Sequence, residues 1–493
     1  MSSSESRTAN RSTVPTAPAF QQRIGRDWAE REESVPEPHP GADTARAHRE
    51  AISARHPGRR IVVPAGPYKQ RSNDTNYPFR AHSAFAQLTG WGAASEPEAV
   101  LVLEPSEAGH QAVLHFRERA GRDSDEFYAN PEIGEFWIGP RPSLAQVSAL
   151  LGVATAHLDG FRLEVGAADT VLVREADPAL AAELDRLRRR DGDEAALVAA
   201  HAEDAQLAQD LSELRLVKDA YETAELRRAV AATAAGFDDI VENLARAAAH
   251  ERGERVIDGV FSARARLDGN EVGYETIAAA GEHACYLHWT RNDGPVRRGD
   301  LVLVDAGVEV ESLFTADITR TLPVSGVFTE VQRRVYEAVL EAADAAFAVV
   351  RPGITFRTVH ETAMRVIAQR TSEWGVTGVS VEESLAPEGQ HHRRYMVHGT
   401  SHHLGIDVHD CAQARREMYL DGVLEPGMVF TIEPGLYFRG DDLTVPEELR
   451  GIGVRIEDDV LVTPEGAENL SAAIPRTVDE VEAWLRGERR AAG

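Results

Sequence analysis

Three apolar runs of this chain each deliver a carboxylate where a carboxylate is hardest to keep. "LVLVDAGVEVESLFTADITRT" carries Asp305 at the end of a Leu-Val run, and Asp317 follows twelve residues on, in the expected return strand of a hairpin. "MVFTIEPGLYF" carries Glu433 just before Pro434-Gly435, and "GIGVRIEDDVLVT" carries Glu457. Period-two alternation puts Arg455 and Glu457 on one face of a strand, with Val454 and Ile456 on the other. A buried acid is costly unless it is paired or bound to a cation. Taken singly, each has a bland reading: Asp305 capping a turn before Gly307, or one glutamate in a buried ion pair. Three runs doing the same thing restrict the chain to folds that gather the acids around positive charge.

"MVHGTSHHLG" places His398, His402 and His403 within one short stretch, with His409 close behind. Metal sites, proton-transfer sites and solvated loops all collect histidine. If His402 joins Asp305, Asp317, Glu433 and Glu457, four carboxylates face one arginine, Arg455. Such a cluster does not stay ionised in a folded core. Two divalent cations would neutralise it. Oxygen-rich sites with one imidazole suit Mn²⁺, Fe²⁺, Co²⁺ or Zn²⁺, and hard donors tilt the choice toward Mn²⁺. Shared carboxylates can bridge two ions roughly 3.5–4 Å apart and acidify a water between them.

The remaining sequence sets the frame. At 493 residues, the chain is expected to hold two domains and a tail. Residues 1–40, rich in Ser, Pro and charge, read as a flexible or surface-lying tail. Residues 41–212 read as a small α/β domain with strands in "RRIVVPAG", "AVLVLEP" and "AVLHFRER". Residues 213–480 open on a long helix, "DAYETAELRRAVAATAAGFDDIVENLARAAAHE", and continue as an α+β domain of antiparallel strands. Residues 481–493 read as a second tail. "LRRRDGDE" is a solvated helix end or loop. The net charge of −27 argues against nucleic acid and anionic membrane as partners. No apolar run approaches transmembrane length, and no apolar segment of a signal peptide opens the chain. Two cysteines, Cys285 and Cys411, argue against a disulfide-stapled secreted design. "NRS" at Asn10 is a chance match to the glycosylation pattern. A cytoplasmic enzyme is the expectation.

The ordered motifs "HWT", "DAG", "ADITRT", "HGTSHHLGIDVHD", "TIEPGLY" and "GVRIEDD" together resemble the pita-bread metallopeptidases, and among them the aminopeptidase P (Xaa-Pro aminopeptidase) family. The likeness spans roughly residues 57–470 and includes "RSNDTNYPFRAHSAFAQLTG" and "EPEAVLVL" in the first half. It implies a creatinase-type α/β domain followed by a pita-bread catalytic domain. It implies two divalent metals per subunit, held by Asp305, Asp317, His402, Glu433 and Glu457. Asp317 and Glu457 would bridge the ions, Asp305 would hold one, and His402 and Glu433 the other. His288, His398 and His409 match the family's active-site histidines, with Glu433 also moving a proton. His288, His409, Tyr437 and Arg455 match its proline-site residues. His403, one residue from His402, would point elsewhere. The Asp305–Asp317 spacing is one residue longer than in many members, which is read as an insertion in the hairpin tip "VEVESLF".

The implied reaction removes the first residue from peptides with proline second, using a hydroxide between the metals. The implied assembly is a homo-oligomer, dimer or tetramer. A prolidase restricted to Xaa-Pro dipeptides is the alternative. A creatinase-like enzyme or a non-catalytic binding module is the remote one, because such relatives lose ligands that are present here. The large N-terminal domain disfavours methionine aminopeptidase. "HGTSHHLG" has spaced glycines but no phosphate-loop lysine. Trp91 and Trp137 read as packing or subunit-contact residues.

Overall fold

The computed structural model describes residues 14–31, 34–73, 75–189 and 194–488. The chain divides into two compact units at Ala208/Gln209. The first is built on β1 (Arg60–Pro64), β2 (Val100–Ser106), β3 (Gly109–Phe116), β4 (Ala154–His157) and β5 (Thr170–Leu172), in the order β4-β3-β2-β1-β5. The β-branched runs of β1 and β2 pair antiparallel, and Val62, Val100 and Val102 join Leu172 and Leu184 in one core. Within the expected N-terminal tail, Pro18–Ile24 forms a helix, and the Phe20 ring meets Tyr128 edge-on at 5.1 Å. Residues 1–13 with Asn10, 32–33, 74, 190–193 of "LRRRDGDE" and 489–493 lie outside the described residues.

The second unit opens with α1 (Ala220–Ala248), started by a reciprocal capping box between Asp219 and Glu222. Leu226, Val230, Phe237, Ile240 and Leu244 recur at helical spacing on its buried face. It packs on α2 (Gly253–Asp268), where Gly236 is needed: a Cβ there would lie 2.6 Å from the Phe261 ring. Next come β6 (Ile277–Ala280), β7 (Leu301–Ala306) and β8 (Ile318–Pro323), an antiparallel sheet in the order β8-β7-β6. β7 and β8 are buried along their whole length; β7 is a near-continuous apolar run, whereas β8 buries Thr319, Arg320 and Thr321 as well. α3 (Glu330–Val349) ends before Pro352-Gly353, and α4 (Phe356–Glu373) follows.

The last strands are β9 (Val429–Ile432), β10 (Gly435–Phe438), β11 (Ile452–Arg455), β12 (Asp458–Thr463) and β13 (Gly466–Asn469). β10 pairs with β11, and β9-β12-β13 form a separate sheet. Within "MVFTIEPGLYF" the sequence reading placed Glu433 in a strand before the Pro434-Gly435 turn, and within "GIGVRIEDDVLVT" it placed Glu457 on one strand with Arg455; both glutamates instead lie just outside the strands. Each run changes sheet midway, and Glu433 and Glu457 occupy the two joints. The C-terminal tail also needs correction. Helix Val478–Leu485 runs past residue 481, and buried Trp484 donates from Nε1 to Asp238 Oδ1 at 2.8 Å. The chain is thus a small α/β unit followed by an α+β unit.

Candidate active site

Each expected metal-ligating acid sits at or beside a strand end. Asp305 is the penultimate residue of β7, and Asp317 directly precedes β8. Glu433 lies between β9 and β10, and Glu457 between β11 and β12. His402 comes from a segment laid along β9: Thr431 N donates to His402 O at 2.9 Å, Leu404 N to Val429 O at 3.1 Å, and Glu433 N to Thr400 O at 2.8 Å. A strand end offers a side chain with known direction and a backbone still anchored by its ladder. Four such ends meeting at one place make a rigid floor.

His402 Nε2 stands 3.2 Å from Asp317 Oδ2, 3.7 Å from Glu433 Oε1 and 4.0 Å from Glu457 Oε1. One donor atom each from Asp317, His402 and Glu457 falls within a 4.8 Å group, the spacing a cation can gather. Asp305 is turned partly aside. Its Oδ2 accepts from Arg455 Nη2 at 2.5 Å. The Tyr274 hydroxyl lies 2.8 Å from Asp305 Oδ1 and 2.5 Å from Asp317 Oδ1, a single proton between two acids. Thr319 Oγ1 donates to Glu457 Oε2 at 2.6 Å.

Burial with too many like charges governs this floor. Glu457 is pushed well above the carboxylate range by burial and by Asp317, Glu433 and Asp305. Burial likewise raises Asp305, against the opposing pull of Arg455, and lifts Glu433 to about 7. For His402 burial disfavours the cation, yet the hydrogen bond and charge of Asp317, with Glu433, outweigh it and bring the ring to about 9. The protein alone therefore under-compensates these acids, as a site for divalent cations should. Four carboxylates and one imidazole are a fitting donor set for such ions.

A second group forms the wall. Arg455 Nη1 donates to Tyr437 Oη at 3.1 Å, and Tyr437 Oη lies 2.8 Å from His398 Nε2. His398 Nδ1 lies 2.6 Å from Gly399 O. A carbonyl only accepts, so His398 carries its proton on Nδ1 and receives the Tyr437 proton at Nε2. Burial and Arg455 hold His398 down at about 3, which keeps it neutral. The rings of His402 and His409 cross at 4.5 Å.

A cavity of about 670 Å³ opens over the floor, and His288, His398 and His409 stand in its lining with Leu287, Val408 and Tyr419. The structure thus brings together every residue named from the sequence, with one difference. Tyr437 is buried behind Arg455 and His398, whereas the sequence reading set it against the proline ring. Its hydroxyl is used up inside the protein. His403 turns away from the floor and stacks on Phe356 at 4.7 Å.

The sequence reading missed Tyr274, Thr319 and Asp459. Tyr274, in "VGYET", carries no motif of its own. Thr319 lay within "ADITRT". Asp459 lay within "RIEDD"; it is buried, pushed well above the ordinary range by burial and by Asp317, and accepts from Asp317 N at 3.3 Å.

The profile of metallopeptidase family M24 matches residues 224–464, and that of the aminopeptidase P N-terminal domain matches 45–162. Xaa-Pro aminopeptidase 2 of Streptomyces coelicolor is 51% identical over 462 residues, 93% of this chain and 94% of its own. The Xaa-Pro aminopeptidase of Escherichia coli is 34% identical over 451 residues, 89% and 96% of the two chains. A zinc-substituted Escherichia coli aminopeptidase P in complex with product superposes with a TM-score of 0.75 at 30% identity, covering 92% of this chain and 100% of that one. An aminopeptidase from Pseudomonas aeruginosa gives 0.76 at 30% identity, covering 91% and 99%. With the acids at the strand joints and this extent of likeness, the chain belongs to the M24 metallopeptidases, in the Xaa-Pro aminopeptidase family.

Proposed function

We propose that this chain removes the N-terminal residue from peptides with proline in second position. The observation that carries this reading is the acid-and-histidine floor beneath a cavity walled by three further histidines. Asp305, Asp317, His402, Glu433 and Glu457 would hold two divalent ions per subunit, Mn²⁺ suiting the donors best, with Co²⁺, Fe²⁺ or Zn²⁺ as alternatives. Bound there, the ions supply Lewis acidity toward the scissile carbonyl and acidify the attacking water.

The protein's own groups do the rest. An Xaa-Pro bond has no N–H, so strand-like pairing at that nitrogen is impossible and the ring must be recognised by shape. The faces of His288 and His409 offer that surface. The free amino terminus of the peptide is met by the acidic floor, which favours an exopeptidase. His288 in the cavity lining, or His398 once its Nδ1 proton leaves Gly399 O, can donate toward charge developing on the carbonyl oxygen. Glu433 Oε2 lies 3.5 Å from His398 Nδ1, so its carboxyl stands where a proton passes toward the leaving proline nitrogen. Arg455, through Tyr437, orients His398 and neutralises part of Asp305.

Two unpaired cysteines support a cytoplasmic setting. No helix among the described residues is long and apolar enough to cross a membrane. Exposed Phe136, Trp137 and Ile138 form an apolar run that supports a homo-oligomer, dimer or tetramer. The deciding assay offers Mn²⁺-loaded protein an Xaa-Pro dipeptide and an Xaa-Pro-Yaa-Zaa peptide. Release of the first residue from the longer peptide, abolished by chelator, is expected. Cleavage of the dipeptide alone makes the protein a prolidase.

A further inference from the structure

His288 reaches the cavity from residues 281–294, the first part of the 281–300 connection between β6 and β7, which holds one short 3-10 turn. Loops of this kind are ordinarily mobile, yet a side chain that meets substrate must be held to within a fraction of an ångström. The side chain of Glu254, in the first turn of α2, is wholly buried beneath this loop. Its Oε1 accepts from Ala280 N at 2.8 Å and from His283 Nδ1 at 2.7 Å. Its Oε2 accepts from Trp289 Nε1 at 2.9 Å and from Gly294 N at 2.6 Å. The backbone returns the contact, with Glu254 N donating to Gly294 O at 3.1 Å.

Four donors from positions 280, 283, 289 and 294 therefore converge on one carboxylate, bracketing His288 on both sides. A Cβ on Gly294 would lie 2.8 Å from Glu254 Oε2, so glycine is what lets the loop close this tightly. Above the carboxylate, the His283 and Trp289 rings stack at 3.9 Å, and the Arg291 guanidinium covers Trp289 at 4.4 Å. A charged group buried this deeply costs stability unless fully satisfied. Here the satisfaction comes from the loop itself, so the ordering of the loop and the burial of the charge are one event.

We infer that Glu254 is a positioning residue for the peptidase reaction: its carboxylate fixes the 281–294 loop so that His288 faces substrate from one place. The inference rests on the reading of His288 as a substrate-facing group. Glu254→Gln keeps the shape, but its amide replaces one acceptor with a donor that opposes two others. In the metal-loaded full chain, kcat/KM for an Xaa-Pro peptide is expected to fall on the order of 10- to 100-fold with metal content unchanged. In a His288→Ala background, the same change should cost less than about 2-fold more, because the two act through one group. Hydrogen exchange at 281–294 should quicken while the remainder of the second unit keeps its protection.

Additive losses in the double variant, or unchanged exchange in the loop, overturn the inference. If Glu254→Gln does not fold, Trp289→Phe removes a single donor, keeps the ring stack, and should show the same pattern more weakly. Should the parent protein cleave no Xaa-Pro peptide, the assigned reaction fails, and the exchange measurement still decides the role of Glu254.

Discussion

The residues of the site divide by how they earn their position. Asp305, Asp317, Glu433 and Glu457 were legible as candidates because acids in apolar runs need a cation, and His402 through the family resemblance. Glu457→Gln should lower bound metal and turnover together, read by metal analysis of the purified protein beside kcat. Full metal retention in that variant would remove Glu457 from the ligand set. Tyr437 was legible as a motif residue but not in its placement, because no spacing rule says that its hydroxyl is spent on Arg455 and His398. Tyr437→Phe should lower kcat/KM by about 10-fold or more while metal content holds, because His398 loses the hydroxyl that orients its Nε2. An unchanged kcat/KM would show that the His398 orientation has no catalytic weight. Tyr274 was illegible. It earns its position by touching Asp305 and Asp317, 31 and 43 residues away in sequence.

At the scale of elements, periodicity found the strands but not where they change partners. "GIGVRIEDDVLVT" alternates from Ile452 to Glu457 and continues in "DDVLVT", yet β11 pairs with β10 while β12 pairs with β9. Between them, Glu457 N donates instead to Thr319 O at 3.1 Å, which aims the carboxyl at the floor. The hairpin between β7 and β8 shows how the expected extra residue could be absorbed. Val310 N donates to Phe314 O at 2.9 Å, and Leu313 takes a left-handed φ of 71° while fully buried. A branched side chain there carries about 1 kcal/mol of backbone strain that glycine would lack. Leu313→Ala should therefore destabilise by about 2–5 kcal/mol through its cavity. Leu313→Gly should be no worse, an inversion of the usual order in β-structure. Denaturant midpoints for the two variants check it; a clearly weaker glycine variant would mean the strain is small.

At the scale of the whole molecule, three of the acids link metal, pH and stability. Glu433, with an ordinary value of 4.5, is raised to about 7 in the fold, and Glu457 and Asp305 are raised as well. A raised acid favours its protonated form in the native state. Its contribution is present below the unfolded value and is lost as pH climbs through the folded one. Chelated protein should therefore lose thermal stability between about pH 4.5 and 7 and beyond, whereas bound divalent ions should offset that loss. Melting curves of chelated and metal-loaded protein should separate further at pH 8 than at pH 5. A gap that stays constant with pH would mean that these acids do not bind the ions.

The sequence by itself determined the two-unit plan, apolar runs of the buried sheets, and the acids that called for a cation; the full donor set with His402 was what the family resemblance implied. The first three follow from periodicity and from the cost of burying an acid, both of which are local properties of the chain. Only the tertiary structure decided which atoms meet. The floor exists because three separate strand systems break beside one another, and the joint at Glu457 is held by Thr319, 138 positions away. Tyr274 beneath the acids and Glu254 beneath the His288 loop belong to the same class. Their function lies in contacts that no stretch of sequence contains.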